Sequence, residues 1–344
     1  MKDTQRAQFD TTPVDPTITA ENGRIPLSVV VVTKNEAERI EDCLESVFQA
    51  CRSVPAFEVI LVDSDSSDRT VDLATEYDIT VLRIPEEHVA CAGTGRYVGD
   101  RVASGEMVLH VDGDMTLTEV WLPRAIAYLE AHDDVAGVEG CLDQSSQSEI
   151  REVDKLGGVM LYDADALAEA GGFDPYLLGY EDVDVGFQLR EVGYRLVCLP
   201  EVSASHREEG MISKPLRRWR QGYYIAPGQT IRKRARSPAV LKRLLARQRY
   251  NVGLLGWVSI GVLTLFSLPL FVAWLLLSAI VFGAVASRLG VSGAVDFVIA
   301  KSFGTVGLLI GLKERTPPAT EFPLSEIEVL ATGRPFEGSV PREK

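Results

Sequence analysis

The chain has 344 residues, of which 46% are apolar and 24% charged, and its formal net charge is −14. This length suits one large domain or a medium domain with appended segments, and the apolar fraction excludes general disorder. The acidity disfavours nucleic acid as a partner. Five cysteines without a CxxC pair disfavour a zinc site or disulfide framework and fit a reducing compartment: Cys43, Cys51, Cys91, Cys141 and Cys198.

Residues 1–26 are polar, contain three prolines and have no apolar core segment. We expect them to form a flexible N-terminal lead rather than a signal peptide. The catalytic part of the chain is therefore expected in the cytoplasm.

Residues 27–111 alternate apolar, β-branched runs with segments of helical periodicity. The runs predict strands at 27–33, 58–63, 79–84 and 106–111. The segments between them predict helices at 40–51, from the polar stretch 64–68 through Tyr77, and at 93–103. Strands that alternate with helices form a parallel sheet with right-handed crossovers, and ligands bind beyond the carboxyl ends of those strands. Asp63 and Asp112 lie at two of those ends.

Two carboxylates, Asp112 and Asp114, flank Gly113 directly after the fourth predicted strand. In a turn at a strand end, both can face one cleft and hold Mg²⁺ or Mn²⁺ while the cation bridges a diphosphate. Such an ion neutralises charge on a leaving nucleoside diphosphate. Asp and Gly are also ordinary turn residues, so this motif gains its meaning from its place in the fold.

Polar residues also follow the first two predicted strands: Thr33, Asn35 and Glu36 after the first, and Asp63 and Asp65 after the second. Acceptor groups at these positions can read a base edge or ribose hydroxyls. The alternative is that they and their serine neighbours cap the helices that follow.

Further along the chain, Glu181 and Asp182 form an acidic pair that can act as a general base toward an acceptor hydroxyl, or can simply begin a helix. His206 follows a last strand predicted from Arg195 and can complete a metal shell or contact a diphosphate. A lone histidine is more often structural.

A run without any charged residue covers 251–287. It predicts two short membrane helices at 252–267 and 269–286, hinged at 267–269, although a buried hairpin in a soluble core is the alternative. The stretch 294–312, interrupted by Asp296 and Lys301, can span, lie in the interface or pack on the other helices.

Twelve of the 35 basic residues, and none of the 49 acidic ones, lie between Gly210 and Val252. Positive charge beside a membrane span stays on the cytoplasmic side and attracts anionic headgroups or phosphates. We therefore expect a multi-pass protein of the cell membrane with a cytoplasmic catalytic domain.

Taken in order, these motifs resemble the family 2 inverting glycosyltransferases of GT-A fold, including membrane-anchored enzymes of archaeal and bacterial lipid-linked glycan assembly. Six segments carry the resemblance: VVTKNEAERI, VDSDSSDRT, GRYVG, DGD, GGFD with YEDVD, and the pair His206-Arg207. Ser64 and Tyr97 depart from the family pattern, which has Asp and Asn there.

The resemblance implies an α/β fold of GT-A type, a Rossmann-like mixed sheet, followed by C-terminal transmembrane helices. It implies nucleoside binding by Thr33, Glu36 and Asp63, and an Arg96 near the diphosphate. It further implies a metal site at Asp112 and Asp114, with Asp182 as general base and Glu181 supporting it.

Some membrane-bound relatives carry a Q-x-x-R-W motif before a transmembrane channel. This chain has Arg217-Arg218-Trp219 without the glutamine, which disfavours a processive polysaccharide synthase. A membrane-proximal, acceptor-side role for these three residues is more economical.

The sequence thus predicts five segments: a lead (1–26), a GT-A domain (27–210), a basic membrane-proximal segment (211–251), a membrane segment (252–312) and a polar C-terminal tail (313–344). The predicted function is transfer of a sugar from a nucleotide-sugar donor to a lipid-linked acceptor of the polyprenyl or dolichyl phosphate type, in N-glycan or surface-glycan assembly. The alternatives are exopolysaccharide or glycolipid synthesis, and a catalytically inactive membrane module that binds nucleotide-sugars. A soluble nucleotidyltransferase fits the uncharged run poorly.

Overall fold

The structure is a computed structural model that describes residues 24–142, 148–206 and 214–337. Its internal contacts divide the chain into two units. Unit 1 comprises the residues up to Tyr176, Glu181–Glu209 and the residues from Pro317 onward; unit 2 comprises Leu177–Tyr180 and Gly210–Thr316. Nearly all of the predicted N-terminal lead lies outside the described residues.

Unit 1 is built on one mixed sheet. Its strands are β1 (Ile25–Thr33), β2 (Ala56–Asp63), β3 (Thr80–Arg83), β4 (Gly105–Asp112), β5 (Met115–Leu117), β6 (Val135–Leu142), β7 (Arg151–Val153), β8 (Val159–Asp163), β9 (Arg195–His206), β10 (Glu328–Ala331) and β11 (Phe336–Glu337). The main order is β10-β3-β2-β1-β4-β8-β6-β9-β5, with β11 beside β2 and β7 beside β9.

The first four strands are parallel, as predicted, and the sheet becomes mixed beyond them. β1 pairs in parallel with both β2 and β4, and β8 lies antiparallel to β4. The register places Thr33 opposite Asp63 and Val32 opposite Asp112, so these strands end together at one edge.

Helices cover both faces of the sheet, which is why the central strands are mostly apolar. In unit 1 they are α1 (Ile40–Ala50), α2 (Thr70–Ala74), α3 (Ala92–Val102), α4 (Trp121–Glu130), α5 (Ala164–Ala170) and α6 (Glu181–Glu191). One buried cluster joins the sheet to α1 and α4, and a second joins its other face to α3, α5 and α6.

The segment from 317 to 337 packs on unit 1, whereas the sequence suggested a separate polar tail from 313. β10 pairs antiparallel with β3. Phe322 and Ile327 are 5% and 2% exposed, and the Tyr97 hydroxyl donates to the Ala319 carbonyl at 2.7 Å. A few apolar side chains, spaced among charged ones, are enough to bury this segment against the sheet edge.

Unit 2 consists of α7 (Lys214–Arg220), α8 (Ala226–Lys233), α9 (Pro238–Arg247), α10 (Arg249–Thr264) and α11 (Leu268–Gly311). The predicted hinge near Ser267 separates α10 from α11. A break at Gly290, with φ 74° and ψ 166°, divides α11 where the sequence predicted a separate third segment. Among the described residues, α11 is the helix with the length and apolar composition of a membrane span.

The close approach of α3 to β1 yields a stability prediction for Gly99. A Cβ added there would overlap the Val30 side chain. We expect Gly99→Ala to destabilise the protein by about 1–3 kcal/mol. Thermal unfolding of the purified full chain in detergent measures this as a lower midpoint.

Gly157→Ala is the matched control, because nothing lies within 4 Å of a Cβ at that position. Equal midpoints for the two variants would contradict the packing of α3 against β1.

Candidate active site

The site lies at the carboxyl ends of β1, β2 and β4, where the backbone itself holds the loops together. The Ser64 N–H donates to the Thr33 carbonyl and the Gly113 N–H to the Val32 carbonyl, both at 2.9 Å. A Cβ on Gly113 would lie 2.9 Å from Thr33 Oγ1, so only glycine fits between the two carboxylates of the DGD motif. Thr33 Oγ1 is buried and has no hydrogen-bond partner among the described residues.

Asn35 ties the loop after β1 to the loop after β2. Its N–H donates to Ser66 Oγ and its Oδ1 accepts from the Ser67 N–H, both at 2.8 Å. Asn35 and Asp65 both have a φ of 58°, the left-handed conformation that Asn and Asp tolerate best. Asn35 is exposed and Asp65 half-buried, so both border the cleft rather than the core.

Glu36 connects the same loop to α1 and α2. Its N–H donates to Thr70 Oγ1 at 2.8 Å, and its carboxylate pairs with Arg39 at 2.8 Å. These contacts match the capping alternative, and its role toward a nucleoside stays a prediction.

Asp63 is fully buried at the end of β2. Its carboxylate accepts from the N–H and the hydroxyl of Ser66 and lies 3.7 Å from Arg83 Nε. Burial raises the pKa of Asp63, against the opposing effect of the Ser66 hydrogen bonds. Asp63 therefore shapes the loop after β2, and direct contact with a nucleoside stays a prediction.

The centre of the site is an ionic cluster, here called the Arg96 cluster, formed by Arg96, Asp112 and Glu181. Arg96 Nη2 donates to Asp112 Oδ1 at 2.6 Å, and Nη1 donates to Glu181 Oε1 at 2.8 Å. Arg96 is 4% exposed and lies over the Phe173 ring at 5.6 Å. The cluster joins the DGD motif, α3 and the start of α6.

Burial and charge act in opposite directions in this cluster. Burial would lower the pKa of Arg96, and the carboxylates of Asp112 and Glu181 raise it by more. Burial raises the pKa of Asp112, Arg96 lowers it and Asp114 raises it again. The guanidinium therefore stays charged and compensates two carboxylates that desolvation disfavours.

The predicted metal ligands are only partly described. The Asp112 side chain is 31% exposed and Asp114 is half-buried, so both are accessible to solvent. Among the described residues no group of three or more His, Cys, Asp or Glu side chains forms a metal site. His206 ends β9 opposite Met115, and its side chain and Arg207 lie outside the described part.

Asp182, the predicted base, pairs with Lys155, a residue that the sequence analysis did not single out. Lys155 Nζ contacts Asp182 Oδ2, while Asp182 Oδ1 accepts from the Val183 N–H at 2.7 Å. The Asp182 side chain is 19% exposed. These two contacts fix the position of the Asp182 carboxylate at the start of α6.

Glu139 is a second residue that the motifs missed. It lies on β6, accepts from the Gly157 N–H at 2.9 Å, and burial raises its pKa to about 7. A lone glutamate inside the apolar strand VAGVEGCL was the available signal, since a charged residue rarely occupies such a run without a purpose. Lys155 had no comparable signal.

Three further predicted residues belong to unit 2. Arg218 lies over the Tyr223 ring at 5.3 Å, and Trp219 stacks on Phe303 of α11 at 4.9 Å. Arg217 precedes them on α7. Their acceptor-side role stays a prediction.

Residues 28–155 match the family Glycosyl transferase family 2. Among curated proteins, the chain is 32% identical over 120 residues to an undecaprenyl-phosphate 4-deoxy-4-formamido-L-arabinose transferase of Pectobacterium carotovorum, covering 32% of this chain and 36% of that one. It is 31% identical over 105 residues to glycosyltransferase AglE of Haloferax volcanii, covering 29% and 34%. A dolichol-phosphate mannosyltransferase of Pyrococcus furiosus is 28% identical over 114 residues, covering 32% of each chain. The chain thus matches about a third of the length of these relatives.

Two solved structures share the fold. The mannosyltransferase PcManGT from Pyrobaculum calidifontis, in complex with GDP-Man and Mn²⁺, superposes with a TM-score of 0.60 at 21% identity, covering 90% of this chain and 91% of that one. S. aureus TarS 1–349 with UDP-GlcNAc superposes with a TM-score of 0.51 at 20% identity, covering 83% and 91%. The predicted GT-A fold and the resemblance to family 2 are confirmed.

The raised pKa of Glu139 predicts a pH-dependent stability. The folded protein keeps the Glu139 proton up to a pKa of about 7, while an unfolded chain releases it near 4.5. Stability therefore falls as pH rises through this window, because the folded state binds more protons there. We expect Glu139→Gln to be more stable than the wild type by roughly 1–3 kcal/mol at pH 8 and equal to it below pH ~4.5.

Denaturant unfolding at both pH values measures this difference, with exposed Glu130→Gln as the control. If the difference in unfolding free energy between Glu139→Gln and the wild type did not change with pH, the pKa of Glu139 would not be raised in the folded state.

Proposed function

We propose that this chain is an inverting glycosyltransferase, because its residues 28–155 match Glycosyl transferase family 2. It transfers a sugar from a nucleotide-sugar donor to a lipid-linked acceptor of the polyprenyl or dolichyl phosphate type, in N-glycan or surface-glycan assembly. The observation that carries the proposal is the Arg96 cluster, which unites the DGD motif with the acidic pair of α6. The names of the relatives, which include transferases of undecaprenyl phosphate and dolichol phosphate, support the lipid acceptor.

Asp182 is the proposed general base. Its carboxylate accepts the proton of the attacking oxygen, which is a P–OH of the lipid phosphate or a hydroxyl of a sugar already attached to it, as that oxygen bonds to the anomeric carbon and the nucleoside diphosphate leaves. Lys155 orients the carboxylate, and Arg96 holds Glu181 in a separate ion pair. The two acids at the start of α6 therefore have separate partners and separate tasks.

The donor set of the DGD motif fits a divalent cation. Asp112 and Asp114 offer hard oxygen ligands at the mouth of the cleft, and few protein ligands suffice where a diphosphate supplies the rest. Bound there, Mg²⁺ or Mn²⁺ would neutralise charge on the leaving diphosphate. Arg96 adds a fixed positive charge behind Asp112.

The apolar helices of unit 2 are proposed to anchor the protein in the membrane. α10 and α11 expose large apolar side chains over much of their length, and Phe266 between them is 92% exposed. Inserted as a hairpin, they would remove this surface from water. The basic segment before α10 would then stay on the cytoplasmic side with the catalytic domain.

Replacing the proposed base tests the mechanism. We expect Asp182→Asn to lower sugar transfer by roughly 10²-fold or more, because the amide cannot accept the proton. The measurement incubates membranes with a panel of nucleotide-sugars and determines the mass of the extracted lipids.

Glu191→Gln, at the exposed end of the same helix, is the control and should retain activity. Full activity of Asp182→Asn would remove Asp182 from the mechanism. Donor binding without turnover in the wild type would favour the inactive binding module.

Metal removal tests the role of the DGD motif. We expect excess EDTA to abolish transfer, and Mn²⁺ or Mg²⁺ to restore it in the wild type but not in Asp114→Ala, since that variant lacks one of the two carboxylates. The same lipid assay measures both results. Undiminished transfer in EDTA would exclude the proposed cation.

A further inference from the structure

Unit 2 contains two cavities whose linings share Tyr250 and Lys301. One is an apolar groove of about 560 Å³ between α10 and α11, lined by residues that include Trp257, Trp274 and Phe282. The other is a polar cavity of about 260 Å³ whose lining includes Arg218, Arg247 and Gln248. An apolar groove and a polar cavity with basic lining residues, which share two wall residues, suit an amphipathic ligand.

The apolar groove has a well-defined wall. Trp257 Nε1 donates to Ser278 Oγ at 3.0 Å, and Trp274 Nε1 donates to the Trp257 carbonyl at 3.1 Å. The two indole rings stack with their centroids 6.1 Å apart. Because both indole N–H groups are satisfied, the rings present only apolar surface to a ligand.

Two basic residues line the groove, and one of them, Lys301, also lines the polar cavity. Arg249 lies over the Tyr250 ring at 4.7 Å, and Lys301 lies 5.6 Å from the same ring. Neither forms an ion pair with a carboxylate in the described part of the chain. Aromatic faces hold these cations in place without neutralising them, which leaves their charge for an anionic group.

Three residues that line the polar cavity are joined by hydrogen bonds. Asn251 Nδ2 donates to Gln248 Oε1 at 2.6 Å, and Gln248 Nε2 donates to the Tyr180 hydroxyl at 2.7 Å. A Cβ on Gly304 would lie 2.8 Å from the Asn251 amide, so glycine at that position admits Asn251. Tyr180 is also the residue directly before Glu181 in the sequence.

We propose that the groove and the polar cavity form one binding site for an isoprenoid lipid phosphate. The single apolar chain lies along Trp257 and Trp274, and the phosphate lies at Arg218, Arg249 and Lys301. One groove that ends in cations matches one chain with a terminal phosphate better than a two-tailed phospholipid. This site rests on the proposed function, since it supplies the acceptor of that reaction.

The tail of the site is tested by filling the groove. Gly253 lines it, and nothing lies within 4 Å of a Cβ at this position, so Gly253→Leu occupies the groove without a clash. We expect the full-length variant in detergent to bind farnesyl phosphate about tenfold or more weakly than the wild type, measured by native mass spectrometry. Gly256→Leu, on the same helix and outside both cavity linings, should bind as the wild type does.

The head of the site is tested by removing a charge. Lys301→Gln should weaken binding of farnesyl phosphate by about tenfold or more and leave binding of the uncharged alcohol farnesol unchanged. Arg288→Gln is the control, a cation on the same helix outside both cavities. Equal binding of farnesyl phosphate by wild type, Gly253→Leu and Lys301→Gln would overturn the site.

Two outcomes separate this site from the proposed function. Sugar transfer to lipid with an unchanged KM for the lipid in Gly253→Leu and Lys301→Gln would overturn the site and leave the transferase intact. Binding of farnesyl phosphate that both variants weaken, without sugar transfer by the wild type, would support the site and reject the transferase. Displacement of farnesyl phosphate by an equal concentration of phosphatidylglycerol would identify a phospholipid site instead.

Discussion

The buried guanidinium of Arg96 is the constraint on which the rest of the catalytic unit depends. Arg96 is only 4% exposed, and a charged side chain so deeply buried is tolerated only when carboxylates and hydrogen bonds compensate for its lost hydration. Asp112 and Glu181 provide that compensation from opposite parts of the chain, the end of β4 and the start of α6. Gly93 permits it, since a Cβ there would lie 2.7 Å from Glu181 Cβ. Removing either carboxylate would leave the buried guanidinium with a single ion pair.

The same constraint distributes the acidic residues of the site among different partners. Arg96 engages Glu181 and Asp112, Lys155 engages Asp182, and the Gly157 N–H engages Glu139. Carboxylates that would otherwise repel one another are thereby held at fixed positions around one cleft. The proposed sugar transfer would use this arrangement, with one acid accepting a proton while its neighbours position a cation or remain structural.

Unit 2 contains the basic segment of the chain, and aromatic rings contact some of its cations. Its cations lie on aromatic rings, as Arg218 does on Tyr223 and Arg249 on Tyr250. Its helices approach closely through glycine, since a Cβ on Gly228 or Gly311 would meet the backbone of the facing segment. Small residues at these positions allow close backbone contact between the segments.

The sequence by itself determined the parallel strands β1 to β4, the position of the DGD turn and the uncharged run, because alternation, strand-end polarity and charge are local patterns. It also placed Arg96, Asp112 and Glu181 in one site through the order of their motifs. Only the tertiary structure decided which groups meet. Asp63 proved to be buried against Ser66, Lys155 became the partner of Asp182, and residues 317–337 returned to the sheet edge. Those outcomes depend on contacts between residues distant in sequence, where desolvation and packing set the free energy and where residue type and spacing carry no record of the partner.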